Sequence, residues 1–190
     1  MYSSTVSDLT ALTAPTGEPV ADIRPLTILI DGPSGAGKTT LAAEIEAAWP
    51  SDRELVVFHL DDIYPGWNGL DSASAYVRDS IMLARLAGQS ARWQRWDWST
   101  NSPAEWHEIP VTADLVIEGC GAITYQAARV ASASVWVDEV EETRKARSLS
   151  RADDDFETHW DDWDAQFSAF VAREQPQRHA SLRIGQEPIA

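Results

Sequence analysis

The sequence predicts an α/β domain: a parallel five-stranded sheet with helices on both faces, arranged as a three-layer sandwich. Two observations predict it. Short apolar runs rich in β-formers recur along the chain, separated by segments of helical spacing. A glycine-rich loop joins the first of these runs directly to the first helical segment. The 190 residues suit one domain, since compact domains mostly run from about 50 to 250 residues.

Residues 1–24 are rich in Ser, Thr, Ala and Pro without sustained periodicity, so they predict a flexible extension carrying at most a short helix near Val6–Leu12. The domain proper is expected over residues 25–190. Leu26–Ile30 reads as a buried strand between Pro25 and the glycine-rich loop. Thr39–Trp49 has helical spacing through Leu41, Ile45 and Ala48, and Pro50 ends it. Leu55–Leu60 is a second strand, and Asp71–Ala87 a helix stopped by Gly88. Leu115–Ile117 and Ser134–Val137 are the third and fourth strands, the third followed by Glu118 and Gly119. Glu141–Ala152 is a basic helix, Glu157–Glu174 a longer one, and Ser181–Ile184 a last strand.

Acidic residues outnumber basic ones 30 to 15, for a formal net charge of −15. That average field repels a polyanion, so no nucleic-acid partner is expected. The single cysteine, Cys120, allows no intramolecular disulfide, which fits a reducing compartment. There is neither an apolar run of membrane-spanning length nor a secretory signal at the N-terminus. A cytoplasmic protein without a membrane partner is the expectation, and the sequence leaves the oligomeric state open.

Gly32-Pro33-Ser34-Gly35-Ala36-Gly37-Lys38-Thr39 fits G-x-x-x-x-G-K-[ST], with a strand before it and a helix after. This is the context of a phosphate-binding loop, and it predicts the P-loop NTPase fold. Glycines let backbone N–H groups approach phosphate oxygens closely. The helix start presents unpaired N–H groups and the positive end of its dipole. Lys38 supplies a cation for the β- and γ-phosphates, and Thr39 a hydroxyl for Mg²⁺. Gly32, Ser34, Gly35, Ala36, Gly37, Lys38, Thr39 and Thr40 are therefore the expected phosphate-binding residues, with ATP and Mg²⁺ the expected cofactors.

Two further strands run into acids, Asp61-Asp62 after the second and Glu118 after the third. In doubly wound sheets ligands sit at the carboxyl ends of the strands. If these strands are parallel and adjacent, the carboxylates converge on the γ-phosphate end of the loop. Phosphoryl transfer needs a base for the attacking oxygen and carboxylates to hold Mg²⁺, so Asp61 and Glu118 are candidates for both tasks. Arg144, Arg147 and Arg151 share one helical face. They suit phosphate contact, or equally a solvated face paired with Glu141 and Asp154. Residues 92–107 hold four of the nine tryptophans. Their rings could stack on a flat or sugar-like acceptor, or pack an irregular subdomain.

In order along the chain, these pieces resemble the uridine kinase branch of P-loop kinases, over about residues 26 to 152. Asp61-Asp62-Ile63-Tyr64 resembles that family's Asp-Ser-Phe-Tyr, which implies Asp61 as base and brings Asp62 and Tyr64 near the acceptor. Glu118 resembles the acid of the Phe-Glu-Gly segment. Trp96-Asp97-Trp98-Ser99-Thr100-Asn101 is similar to the nucleoside-holding Tyr-Asp-Phe-x-x-His stretch, which implies Trp96, Asp97 and Asn101 as acceptor contacts. Thr143–Arg151 resembles the family's arginine lid, implying a lid near residues 147–157, with Arg147 and Arg151 catalytic and Arg144 on the substrate. Trp96 and Asn101 depart from the family's Tyr and His where the acceptor is chosen. The implied activity is ATP-dependent transfer of the γ-phosphate to a small-molecule hydroxyl, a nucleoside or similar metabolite. A nucleotide or unrelated metabolite is an alternative acceptor, and a nucleotide-binding switch acting through a partner is the alternative outside enzymology.

Overall fold

Strand β1 (Thr27–Asp31) is buried along its whole length, as an apolar run with no polar face requires. In the computed structural model, which describes residues 2–12, 25–151 and 155–185 and no side chain for Arg151 or Asp155, both its neighbours are parallel to it. They are β5 (Asp114–Glu118) and β6 (Ala133–Val137). Strand β2 (Leu55–His59) adds outside β5 and β7 (Leu182–Ile184) outside β6, giving the order β2-β5-β1-β6-β7. The expected five-stranded parallel sheet is present.

The sheet's two faces carry separate cores, because side chains alternate along each strand. Ile28 and Ile30 face one side with Val116, Val135 and Val137. There they meet Leu41, Ala42 and Ile45 of α2 (Lys38–Ala48) and Val6 and Leu9 of α1 (Ser3–Ala11). Leu29 faces the other side with Leu115, Ile117 and Trp136. That side is covered by α3 (Leu70–Tyr76), which continues through a π-helical turn (Val77–Met82) into α4 (Leu83–Leu86), and by α5 (Tyr125–Val130) and α7 (Asp155–Glu174). Helix α6 (Glu141–Arg151) precedes α7, and the short α8 (Pro176–His179) leads into β7.

Three segments differ from the sequence reading. The tryptophan-rich stretch is a hairpin, β3 (Ala91–Asp97) and β4 (Ser102–Ile109), antiparallel, with a register shift between Gln94 and Trp96, and separate from the main sheet. Cross-strand pairs hold it: Trp93 stacks on His107 at 4.4 Å and Arg95 pairs with Glu105. Trp93 also meets Phe58 of β2 edge-on at 4.9 Å. Large rings on both strands hide the polar–apolar alternation that marks a strand. Helix α5 was not expected; Thr124 caps it, its hydroxyl accepting from the Ala127 N–H.

The third difference is the N-terminal extension. Over residues 2–12 it is ordered as α1, docked on α2, where the Tyr2 N–H donates to Glu44. Leu9 is 1% exposed, so apolar burial holds the segment down despite its weak periodicity. Residues 13–24 lie outside the described chain. No helix among the described residues is long and apolar enough to cross a membrane.

Leu9→Ala should lower the unfolding free energy by about 2–4 kcal/mol in urea titrations, the usual cost of deleting a buried leucine. A change near zero would mean that α1 is not part of the folded core.

Candidate active site

The parallel register brings the strand ends together. Glu118 lies level with Ile30 on one side and His59 on the other, so three strands deliver their last residues to one edge of the sheet. Beyond β1 the chain enters the glycine loop and then α2. Gly35 has φ +78°, and a Cβ there would stand 2.0 Å from the Arg144 carbonyl oxygen. Glycine alone permits that close approach of α6 to the loop.

Asp31, fully buried, ties the loop to the segment after β5. Its carboxylate accepts from the backbone N–H groups of Gly32 at 2.7 Å, Gly121 at 2.9 Å and Ile123 at 2.8 Å. Burial pushes its pKa up to about 6, against the three N–H donors and the charge of Lys38. Lys38 Nζ donates to the carbonyls of Gly32 at 2.8 Å and Pro33 at 2.9 Å. Burial alone would lower its pKa, but Cys120, Glu118, Asp31 and Asp61 around it raise it above the usual value, so the ammonium stays charged.

Glu118 accepts from the Thr39 hydroxyl at 3.0 Å and lies 2.6 Å from His59 Nδ1. Burial works to raise its pKa, yet the His59 hydrogen bond, the Lys38 charge and the Thr39 hydroxyl hold it below the ordinary value. Asp61 stands on the 3₁₀ turn Leu60–Asp62 that follows β2. Its side chain is open to cavity water but walled by protein, and that burial, with the charge of Glu118, raises its pKa. The two acids of the site are thus driven in opposite directions.

A cavity of about 340 Å³ joins these groups. One wall is Ser34, Gly35, Gly37, Lys38 and Thr39 of the loop, with Asp61, Glu118 and Cys120. The rest of the lining is aromatic, Tyr64, Trp67, Trp98, Phe156 and Trp163, while Ser148 lines it from α6 beside Gly35. Trp67 is the hub, its ring stacked on His159 at 4.7 Å and within 5.0 Å of Trp98 and 5.3 Å of Phe156. The Tyr64 hydroxyl donates to the Cys120 carbonyl at 2.8 Å and its ring meets Trp163 edge-on. Trp98 Nε1 donates to the Asp61 backbone carbonyl at 2.9 Å, which fastens the hairpin tip to the turn bearing Asp61.

Most of the residues expected to bind phosphate or catalyse therefore meet at one cavity. Gly32 lies beneath it, its N–H taken by Asp31, and Ala36 is buried in the core against α2. Thr40 is exposed on α2, outside the cavity. Four expected acceptor contacts, Asp62, Trp96, Asp97 and Asn101, do not line the cavity. Asp97 is occupied in closing the hairpin turn, accepting from the N–H and hydroxyl of Ser99. Asn101 sits in that turn with φ 49°, and the Trp96 indole N–H is buried without a partner among the described residues. Trp98, at the tip, is the hairpin residue that reaches the cavity.

The arginine strip departs furthest from expectation. Close packing on Gly35 turns the backbone of α6 and Ser148 toward the loop, and the side chains of Arg144 and Arg147 point elsewhere. Arg144 binds Asp164 at 2.7 Å and lies over Trp160, and Arg147 pairs with Glu139 at 3.1 Å. Neither lines the cavity. The Arg151 side chain, and residues 152–154 of the expected lid, lie outside the described residues. Sequence reading missed Asp31, and the pairing of His59 with Glu118, although Asp31 and His59 both end strands as Glu118 does. It also missed Trp67, Phe156 and Trp163, since helical spacing does not separate a core aromatic from a cavity-facing one.

The oxygen donors fit Mg²⁺. Thr39 and Glu118 are already in contact, with Asp61 across the same cavity. Among the described residues no group of three His, Cys, Asp or Glu could hold a metal alone.

A strand, a glycine loop with its lysine, and a helix start, on a sheet of this order, define the P-loop NTPase fold. No protein-family model matches the chain, and no curated protein does. Among solved structures it resembles a possible uridine kinase from Bacillus stearothermophilus, with TM-score 0.63 and 17% identity over 95% of this chain and 97% of that one. It also resembles a provisionally assigned fructose transport system kinase from Silicibacter sp. TM1040, with TM-score 0.50 and 17% identity over 94% of this chain and 98% of that one. At such identity the likeness establishes the fold.

Asp31 sets a pH dependence. In the folded protein it keeps its proton up to about pH 6, against an ordinary value of 3.8. The native state thus binds the proton more tightly than the unfolded chain, and the stability this contributes at low pH is lost as pH rises from about 4 to about 6. The unfolding free energy of the native protein minus that of Asp31→Asn should fall across that window, by at most about 3 kcal/mol, and level off above it. A flat difference would mean that the buried carboxyl ionises as in the free chain.

Proposed function

We propose that the chain is a small-molecule kinase that takes the γ-phosphate of ATP, with Mg²⁺, and transfers it to a hydroxyl of an acceptor held against the aromatic wall. One observation carries this reading: the phosphate loop and the acids Asp61 and Glu118 share one cavity of about 340 Å³ with an aromatic compartment formed by Tyr64, Trp67, Trp98, Phe156 and Trp163. A nucleotide switch needs the loop and an acid but has no use for that compartment. The kinases with a similar fold agree with the reading.

The two carboxylates divide the work. Glu118, kept ionised by His59, Thr39 and Lys38, is the acid suited to the metal, together with the Thr39 hydroxyl. When bound there, Mg²⁺ offsets charge on the phosphate oxygens. Asp61, whose proton affinity is raised, is the acid suited to draw the proton from the acceptor hydroxyl as its oxygen attacks. Lys38 contributes a fixed positive charge beside the transferring group. The lining rings keep water, the competing acceptor, out of the compartment. ATP as donor and Lys38, Thr39, Asp61 and Glu118 as working residues belong to this proposal, as does cytoplasmic action on a metabolite. Arg147 enters it only through movement of α6, which Gly35 packing opposes.

Asp61→Asn should bind ATP as the native protein does and lose acceptor-stimulated ADP release by about 10²–10⁴-fold. Native turnover in that variant would remove Asp61 as the base. Lys38→Ala should weaken ATP binding or turnover at least about tenfold; unchanged binding and turnover would remove the loop assignment.

A further inference from the structure

Resting on the reading of the aromatic compartment as the acceptor site, we infer that this compartment selects a hydroxylated organic cation and turns away anionic acceptors. The carrying observation is the chemistry of the wall. Trp67, Trp98, Phe156 and Trp163 present π-faces and edges to the cavity, and the ionisable groups opposite them are the carboxylates of Asp61 and Glu118. A cation beside tryptophan faces is attracted by the ring quadrupoles, more strongly where water is excluded. A carboxylate or phosphate on the acceptor would meet the like charge of Asp61 and the phosphates on the loop.

Among the described residues, the basic side chains nearest the cavity are otherwise committed. Lys38, the only Lys or Arg among the described lining residues, is bound to the carbonyls of its own loop on the phosphate side. Arg144 is held by Asp164 and Trp160, and Arg147 by Glu139, both outside the cavity. Glu118 is matched by His59, whereas Asp61 faces the cavity with its carboxylate in no ion pair among the described residues. The chain's net charge of −15 adds a long-range field of the same sign. An acceptor of this kind need not be a nucleoside, and nucleotides and sugar acids are disfavoured.

The test uses the full chain and three probes of similar shape, benzyltrimethylammonium, benzyl alcohol and phenylacetate, titrated against intrinsic tryptophan fluorescence in 0.15 M and 0.5 M salt. The cation should bind at least about tenfold more tightly than phenylacetate at both salt concentrations, with benzyl alcohol between them. Trp98→Ala should weaken cation binding several-fold and Trp98→Phe restore most of it, while Asp61→Asn should narrow the gap between cation and anion. Equal or tighter binding of phenylacetate, or no binding of any probe, overturns the inference. So does a cation preference that is abolished by salt or untouched by both substitutions. ADP release against amino alcohols, neutral sugars and sugar acids separates the two readings. A cation preference without any stimulated release sinks the kinase and leaves the selectivity, whereas a kinase whose best acceptor is an anion does the reverse.

Discussion

One buried carboxylate holds this site in shape. Asp31 closes β1 and accepts three backbone N–H groups, one from the start of the phosphate loop and two from the segment after β5. A backbone turning as sharply as the loop does has few partners of its own, and unpaired buried N–H groups are costly. The carboxylate supplies those partners from below and leaves the upper surface of the loop for phosphate. It also fixes the loop relative to Gly121 and Ile123, hence relative to Glu118 and Cys120. The geometry between the glycine loop and the acids at the cavity is therefore inherited from the central strand.

Parallel pairing does the rest of the gathering. With β2, β5 and β1 adjacent and in register, His59, Glu118 and Asp31 arrive at one edge without any long loop to place them. Their environments then differ. Glu118 has His59 and Thr39 as close donors and stays charged, whereas Asp61, one turn past β2, lacks such donors and holds its proton more tightly. Across the cavity the aromatic wall comes from three places, the turn after β2, the hairpin tip and α7. Trp67 at their junction makes the compartment depend on all three.

What could be read beforehand follows from how local each signal is. The five strands, the loop and the acids at 61 and 118 are short-range patterns, and they were legible because a parallel sheet converts sequence order into spatial order. The hairpin was not, since Trp93, Trp96, Trp98 and Trp106 mask alternation, and its register depends on cross-strand pairs such as Arg95 with Glu105. The arginines at 144 and 147 share a helical face as expected, but which way that face points is decided by a contact 109 residues away, the Arg144 carbonyl on Gly35. Likewise Phe156 and Trp163 have the spacing of core residues, and only the position of α7 against Trp67 shows that they border a cavity. Of the hairpin residues it is Trp98 that borders the cavity, because the turn engages Asp97 and holds Asn101.

Calorimetric titration of Mg²⁺·ATP into the native protein and Asp31→Asn, at a pH above 7 where both are folded, addresses the central claim most directly. Asparagine keeps the size of the side chain but replaces one acceptor with an NH₂ facing an N–H donor. If Asp31 shapes the phosphate loop, affinity should fall at least about tenfold, or about 1.4 kcal/mol, although the side chain is too deep to touch the nucleotide. Equal affinity in the two proteins would show that the loop keeps its shape without Asp31 and would contradict the account.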